Sequence, residues 1–156
     1  MSETTTIVIF GASGDLTHRK LIPALYDLYI KKRLTQDFRI VGVSRSPLSN
    51  EEFRDRSRDG VETFGRNHFD RTTWDAFEPH IFYHAGNLTS LDDMVELNTM
   101  LVTQEGDAIA NRIYYLSIAP KLYEKAIANL GNAKMVNEDH GWRRVVIEKP
   151  FGRDLA

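Results

Sequence analysis

A glycine-rich turn near the amino terminus is the first feature of the chain that could do chemistry. Its six residues are Gly11, Ala12, Ser13, Gly14, Asp15 and Leu16. The turn follows the apolar run Ile7–Phe10, which is typical of a buried strand, and precedes apolar positions that recur at helical spacing. At such a turn the backbone N–H groups of a helix amino terminus bind the pyrophosphate of a dinucleotide. Gly11 would permit the tight turn, Gly14 would let phosphates approach the backbone, and the Ser13 hydroxyl could donate a hydrogen bond.

The spacing of this turn departs from the pattern G-x-G-x-x-G, because Ser13 and Leu16 replace the second and third glycines. Glycines also close strand-to-helix turns that bind nothing, and that alternative stays open. A P-loop is disfavoured, since no Gly-Lys-Ser/Thr follows at the required spacing. We therefore predict a dinucleotide site.

The end of the second predicted strand indicates which dinucleotide binds. Phe38–Val43 is followed by Ser44 and Arg45, where a domain that prefers NAD carries an Asp or Glu for the ribose 2′-hydroxyl. A guanidinium would instead bind a 2′-phosphate through paired, charge-assisted hydrogen bonds. We predict NADP as the cofactor; the alternative is that Arg45 is a solvated loop cation.

Strands alternate with helices along the chain. The predicted strands are Ile7–Phe10, Phe38–Val43, Ile81–Ala85, Arg112–Ile118 and Arg144–Ile147. The predicted helices begin at Asp15 and after a capping box at Ser49–Glu52, cover Ser90–Thr103, and run from Pro120 to Leu130 with Gly131 as the stop. This alternation predicts an α/β fold: a doubly wound, Rossmann-type parallel sheet of strand order 3-2-1-4-5 with helices on both faces.

Composition narrows the function classes. The 156 residues suit one domain, and 20 Lys and Arg against 22 Asp and Glu leave a formal charge of −2, so no overall field attracts nucleic acid or an anionic membrane. The lack of cysteine excludes thiolate metal sites and thiol nucleophiles, and no histidine shows metal-ligand spacing. The amino terminus lacks the features of a signal peptide, so we expect a cytoplasmic protein without a metal.

Two motifs resemble those of one enzyme family. The glycine turn, extended through the stretch Arg19–Tyr26 (RKLIPALY), resembles the opening motif of glucose-6-phosphate dehydrogenases. Glu148–Gly152 (EKPFG) is similar to a second motif of that family, and Val41–Ser46 and Tyr115–Pro120 are similar to its second-strand and fourth-strand segments. The resemblance spans essentially the whole chain.

The resemblance implies oxidation of glucose 6-phosphate to 6-phosphogluconolactone with hydride transfer to NADP, the entry step of the pentose phosphate pathway. By position, residues 11–16 would hold the pyrophosphate and Arg45 the 2′-phosphate. Lys149 would contact both substrate and coenzyme, and Lys20 would line the substrate pocket. Without the resemblance, Lys149 would be interpreted as a surface lysine. For Lys20, a solvent-facing cation on a helix and a substrate-binding residue would be nearly equal alternatives. Some family members also accept NAD, so exclusive use of NADP is not implied, and the sequence does not decide whether the Lys149–Pro150 bond is cis or trans.

The general base that the reaction needs is missing from the chain. The resemblance implies a histidine oriented by an aspartate in a downstream substrate and dimerisation domain, together with a His-Tyr-Leu-Gly-Lys motif, and neither is present. The adjacent pair Asp139–His140 is interpreted as solvated loop residues. We therefore expect residues 1–156 to be the NADP-binding domain, monomeric and inactive by itself, with no catalytic residue and Lys149 in a supporting role.

Two alternatives remain open. One is a non-catalytic NADP-binding module, and the other is a complete small reductase of another family. The latter would need a Tyr-x-x-x-Lys pair, which fails at Tyr115 and Tyr123 because Ala119 and Ile127 stand four residues on.

Overall fold

A five-stranded, fully parallel sheet forms the centre of the molecule. The computed structural model describes residues 2–34, 37–65 and 69–147. The strands are β1 (Glu3–Phe10), β2 (Phe38–Ser44), β3 (Ile81–Ala85), β4 (Ile109–Leu116) and β5 (Arg143–Ile147). Their spatial order, β3-β2-β1-β4-β5, confirms the predicted doubly wound topology of order 3-2-1-4-5.

Helices cover both faces of this sheet. A helix that begins at Asp15 is π-helical over Thr17–Leu21 and continues as α1 (Ile22–Ile30). The other α-helices are α2 (Asn50–Phe64), α3 (Arg71–Phe77), α4 (Leu91–Glu105) and α5 (Tyr123–Asn132), and short 3₁₀ turns lie at Glu78–His80 and Pro120–Leu122. Within the described residues no helix is long and apolar enough to cross a membrane.

Successive side chains of the central strands pack alternately into two separate hydrophobic cores, one on each face of the sheet. Ile9 of β1 packs with Trp74 and Phe77 on the side of α1, α2 and α3. Val8, the neighbouring residue, packs with Met94 and Leu97 on the side of α4 and α5. Because side chains alternate across a strand, an uninterrupted apolar run is what a sheet covered on both faces requires.

Some strands begin or end at residues other than those predicted from the sequence. Strand β1 begins four residues before the predicted start at Ile7, because the polar but β-branched residues Thr4, Thr5 and Thr6 are buried and join the sheet. Strand β4 runs from Ile109 to Leu116 rather than over Arg112–Ile118.

Two helix predictions also need correction. Gly131 does not stop α5, which continues to Asn132, and the chain ends that helix only at Ala133. Helix α3 was missed in the sequence, although Asp70 caps it by accepting a hydrogen bond from the Thr73 backbone N–H at 2.9 Å. By contrast, the capping box at Ser49–Glu52 starts α2 as predicted, with both reciprocal hydrogen bonds at 3.0 Å.

A buried ion pair joins β4 to the end of α4. Arg112 donates from Nε and Nη2 to the two carboxylate oxygens of Glu105 at 2.7 and 2.8 Å, and both side chains are almost fully buried. Burial by itself lowers the pKa of Arg112, but its contacts with Glu105 and Tyr114 outweigh that effect and hold the pKa above its usual value. Asn98 and the Tyr114 hydroxyl accept the remaining Nη1 hydrogen bonds at 2.7 and 3.0 Å, so the guanidinium is well satisfied.

We expect Glu105→Gln to lower the free energy of unfolding by about 3–5 kcal/mol, because it leaves the buried Arg112 charge without its counter-ion. Urea denaturation of the 156-residue chain measures this change. Asp75→Asn is the matched control, since it makes the same substitution in the exposed Arg71–Asp75 pair and should change stability by no more than about 0.5 kcal/mol. Equal effects of the two substitutions would contradict a structural role for the buried pair.

Candidate dinucleotide site

An open crevice of about 860 Å³ lies at the carboxyl ends of the strands. It is bordered by the segments that follow β1, β2, β3 and β4, and it spans the place where the strand order reverses between β1 and β4. Ligands of doubly wound sheets bind at this switch point, because crossovers on either side of it leave in opposite directions. The volume lies within the range usual for cofactor sites.

The glycine turn forms the floor of the crevice. Gly11 has a φ of +83°, and its N–H and that of Ala12 donate to the Val43 carbonyl of β2 at 2.9 and 3.1 Å. A Cβ on Gly11 would lie only 2.0 Å from the carbonyl oxygen of Ser117, just beyond β4. Glycine is required here both by the left-handed backbone and by the close approach of the neighbouring chain. Gly14 is exposed, and its Cβ position meets only the Gly11 carbonyl oxygen at 3.2 Å.

The structure divides the predicted pyrophosphate residues between two cavities. Gly11, Ser13 and Gly14 line the crevice. Ala12 is buried and Asp15 is exposed, and both line a smaller cavity of about 260 Å³ between the turn and α2, which Ser13 and Gly14 also border. The Asp15 carboxylate forms an ion pair with Arg19 at 2.8 Å. Leu16 is half-buried and lines neither cavity.

Arg45 lies where the sequence predicts an anion-binding side chain. It follows β2 directly, is exposed and lines the crevice together with its neighbours Ser44 and Ser46. No described residue forms a hydrogen bond or an ion pair with its guanidinium. Its donors are therefore available to a ligand.

Of the two predicted substrate-binding lysines, Lys20 is the one that lies among the described residues, and it does not line the crevice. Lys20 is exposed on the π-helical segment and lines neither cavity. Lys149, the motif Glu148–Gly152 and the Lys149–Pro150 peptide bond lie outside the described residues. Two residues before Lys20, the His18 side chain contacts Asp59 of α2 through Nε2 at 2.8 Å. This contact ties the π-helical segment to that helix.

Sequence reasoning missed the walls that follow β3 and β4. Residues 86–89 and 117–119 line the crevice, as do Lys121 and Leu122. The signal was available, since the carboxyl ends of parallel strands share one edge of the sheet, and the residues after each predicted strand could have been included. Lys121 is exposed and supplies the crevice with a second cation, from the segment that follows β4.

His140 lies at the other end of the sheet. Its carbonyl accepts a hydrogen bond from the Ala110 N–H at the start of β4, at 2.7 Å, so it lies at the amino ends of the strands. A parallel strand of eight residues rises roughly 25 Å, which separates His140 from the crevice. The structure thus agrees with its interpretation as a loop residue. Among residues 2–34, 37–65 and 69–147 no group of three His, Asp or Glu could hold a metal ion.

Comparison with known proteins shows to which family the chain belongs. The family model described as "Glucose-6-phosphate dehydrogenase, NAD binding domain" matches residues 8–156. The chain belongs to this family. The glucose-6-phosphate 1-dehydrogenases of Chlamydia muridarum and Chlamydia pneumoniae are 40% and 42% identical to it, each over 96% of this chain. A solved glucose-6-phosphate dehydrogenase, described as a complex with its substrate glucose 6-phosphate, superposes with a TM-score of 0.85 at 32% identity over 97% of the chain.

The chain corresponds to only part of a glucose-6-phosphate dehydrogenase. It spans 31% of the Chlamydia muridarum enzyme, 30% of the Chlamydia pneumoniae enzyme and 31% of the solved chain. What it shares with them is the NAD-binding domain, which is the domain for a nicotinamide coenzyme.

We expect Gly11→Ala to destabilise the fold by about 2–4 kcal/mol, because the new Cβ would meet the Ser117 carbonyl and the backbone is left-handed. Gly131→Ala is the control. It lies inside α5, has no atom within 4 Å of its Cβ position, and should stabilise the chain by about 0.5–1 kcal/mol. Thermal or urea unfolding of both variants measures the contrast, and an unchanged stability of Gly11→Ala would show that this turn is not packed as described.

Proposed function

We propose that this chain is the NADP-binding part of a glucose-6-phosphate dehydrogenase, which oxidises glucose 6-phosphate to 6-phosphogluconolactone. The observation that carries the proposal is Arg45, an unpaired guanidinium that borders the same crevice as the glycine turn. Membership of the NAD-binding domain family supports the nicotinamide coenzyme, and the charge of the crevice favours the phosphorylated form.

The charge of the crevice suits an anionic coenzyme. Among the described residues that line it, none is Asp or Glu, whereas Arg45 and Lys121 are cations. A carboxylate at the end of β2 would accept a hydrogen bond from a ribose 2′-hydroxyl and repel a 2′-phosphate. A guanidinium there presents a fork of donors that matches phosphate oxygens. The residues present therefore fit NADP better than NAD.

The proposed roles of the chain's residues are binding and orientation. When bound, NADP supplies the hydride acceptor. The turn of Gly11, Ala12, Ser13 and Gly14 would receive the pyrophosphate. The N–H groups of Gly11, Ala12 and Gly14 already donate to carbonyls of the protein, so the donors to the phosphates would be the Ser13 hydroxyl and the remaining N–H groups of residues 13–16, with Asp15 and Leu16 completing the turn. Arg45 would hold the 2′-phosphate. Lys20 and Lys149 remain proposed substrate contacts.

Turnover needs a general base close to the C1 hydroxyl of the sugar. Among the described residues no histidine lines the crevice, and His18 lines only the smaller cavity beside α2, where its Nε2 contacts Asp59. We therefore propose that the chain binds coenzyme without turning over glucose 6-phosphate, and that the base belongs to the part of the relatives that this chain does not span. Its cytoplasmic location and monomeric state stay predictions.

Two measurements separate this proposal from the alternatives. Titration of the chain with NADP should show saturable binding, and addition of glucose 6-phosphate should produce no nicotinamide absorbance. Reduction of NADP by this chain would instead indicate a complete small enzyme. A downstream reading frame that encodes a His-Tyr-Leu-Gly-Lys segment would distinguish a dehydrogenase part from a stand-alone binding module.

We expect Arg45→Ala to weaken NADP binding about 10- to 100-fold and to leave NAD binding within about 2-fold, because only NADP carries the 2′-phosphate. Calorimetric titration with each coenzyme gives the ratio of the two affinities. Lys121→Ala is the matched control, since it removes a cation from the same crevice beyond a different strand. It should affect NADP and NAD similarly, and an unchanged affinity ratio in Arg45→Ala would refute the proposed role.

A further inference from the structure

A buried tyrosine holds the turn that carries Arg45. The Tyr83 side chain of β3 is 7% exposed, and its hydroxyl lies 2.6 Å from the Ser46 carbonyl oxygen and 2.5 Å from Ser44 Oγ. The Ser44 carbonyl oxygen is 3.3 Å away. One phenol oxygen thus contacts the residues immediately before and after Arg45, and it does not itself line the crevice.

Counting protons fixes the direction of these hydrogen bonds. A tyrosine hydroxyl has one proton, and a carbonyl oxygen can only accept, so Tyr83 donates to Ser46. The Ser44 hydroxyl must then donate to the Tyr83 oxygen. Ser44 Oγ also accepts from the Ser46 N–H at 3.3 Å, which closes a small network around the turn.

The phenol ring is fixed independently of the turn. It packs against Phe53 of α2, with ring centroids 5.2 Å apart, and the Tyr83 N–H donates to Asn50 Oδ1 at 2.7 Å. Phe53 can lie this close to the sheet because Gly42 has no side chain, and a Cβ there would be 2.5 Å from the Phe53 ring. The turn is therefore anchored to the sheet and to α2, and not only to its own backbone.

Arg45 has no such anchor of its own. Its guanidinium has no partner among the described residues, so only its backbone position directs it toward the crevice. Holding Ser44 and Ser46 reduces the conformational freedom that the turn would lose when a ligand binds, which strengthens binding by preorganisation.

We propose that Tyr83 is a positioning residue for coenzyme selectivity: it holds the Ser44–Ser46 turn so that Arg45 meets the 2′-phosphate. This inference rests on the proposed function, since it assigns the selectivity of that same site. Tyr83 acts through Arg45 and touches no coenzyme atom.

The test is Tyr83→Phe in the 156-residue chain, which removes the hydroxyl and keeps the ring against Phe53. We expect NADP binding to weaken about 3- to 10-fold, as for the loss of one or two hydrogen bonds, with NAD binding changed by less than about 2-fold. Tyr26→Phe is the matched control. Tyr26 is also buried in the same core, and its hydroxyl donates to the Asp70 carbonyl at 3.3 Å, away from the crevice. Loss of this hydroxyl should therefore leave the affinity ratio unchanged.

A double-mutant cycle gives a readout that general destabilisation would not produce. In the Arg45→Ala background, Tyr83→Phe should no longer change the ratio of NADP to NAD affinity, because its effect passes through Arg45. A ratio in Tyr83→Phe equal to that of the unmodified chain, or a fall of the same size with and without Arg45, would overturn the inference.

The outcomes also separate this inference from the function on which it rests. If Arg45→Ala leaves the affinity ratio unchanged, the proposed function fails, and the role of Tyr83 fails with it. If Arg45→Ala lowers the ratio and Tyr83→Phe does not, only the role of Tyr83 fails. Should Tyr83→Phe not fold, Ser44→Ala removes the hydroxyl that donates to Tyr83 and should lower the ratio in the same direction by about 2- to 5-fold.

Discussion

The contact of the glycine turn with the backbone beyond β4 is the constraint on which the crevice depends. Gly11 can pass this close to the Ser117 carbonyl only because it has no Cβ, and the same passage places its N–H on the Val43 carbonyl of β2. The Ser117 N–H in turn donates to the Phe10 carbonyl at 2.9 Å. Three neighbouring strands are thus joined at their carboxyl ends, and the open space above them faces the start of the first helix. A side chain at position 11 would push these segments apart.

Most of the fold could be predicted from the sequence, for a physical reason. Parallel strands in a covered sheet are rich in apolar residues, and the predicted segments match β3 at both ends and miss only the last residue of β2. Strand order then follows from right-handed crossovers and from the direction in which consecutive strands are added. The threonines of β1 escaped prediction because the same side chain is polar in a loop and β-branched in a strand, and only its burial in the tertiary structure distinguishes the two.

The site was less predictable than the fold, because its walls come from segments distant in sequence. Local motifs identified Gly11, Ser13, Gly14 and Arg45, all of which border the crevice. No local motif marks Tyr83, since its relation to Ser44 and Ser46 exists only when β3 pairs with β2 in the observed register, which sets Ser44 beside Ala85. A tyrosine in a strand reads as a core residue from periodicity alone. Its ring does lie in the core, and only the hydroxyl reaches the turn.

The strands at the two edges of the sheet differ in how completely the described residues cover them. At the edge formed by β2 and β3, the Tyr83 hydroxyl ties the turn after β2 to β3, and the Tyr83 N–H ties β3 to Asn50 at the start of α2. On the other side, Val145, Val146 and Ile147 of β5 are 38%, 38% and 43% exposed, although parallel strands are ordinarily covered on both faces. Arg45, the proposed 2′-phosphate contact, thus lies on a turn that hydrogen bonds from β3 hold in place. Because these hydrogen bonds lie within the described residues, the proposed discrimination between a 2′-phosphate and a 2′-hydroxyl is one that coenzyme binding to the 156-residue chain can test directly.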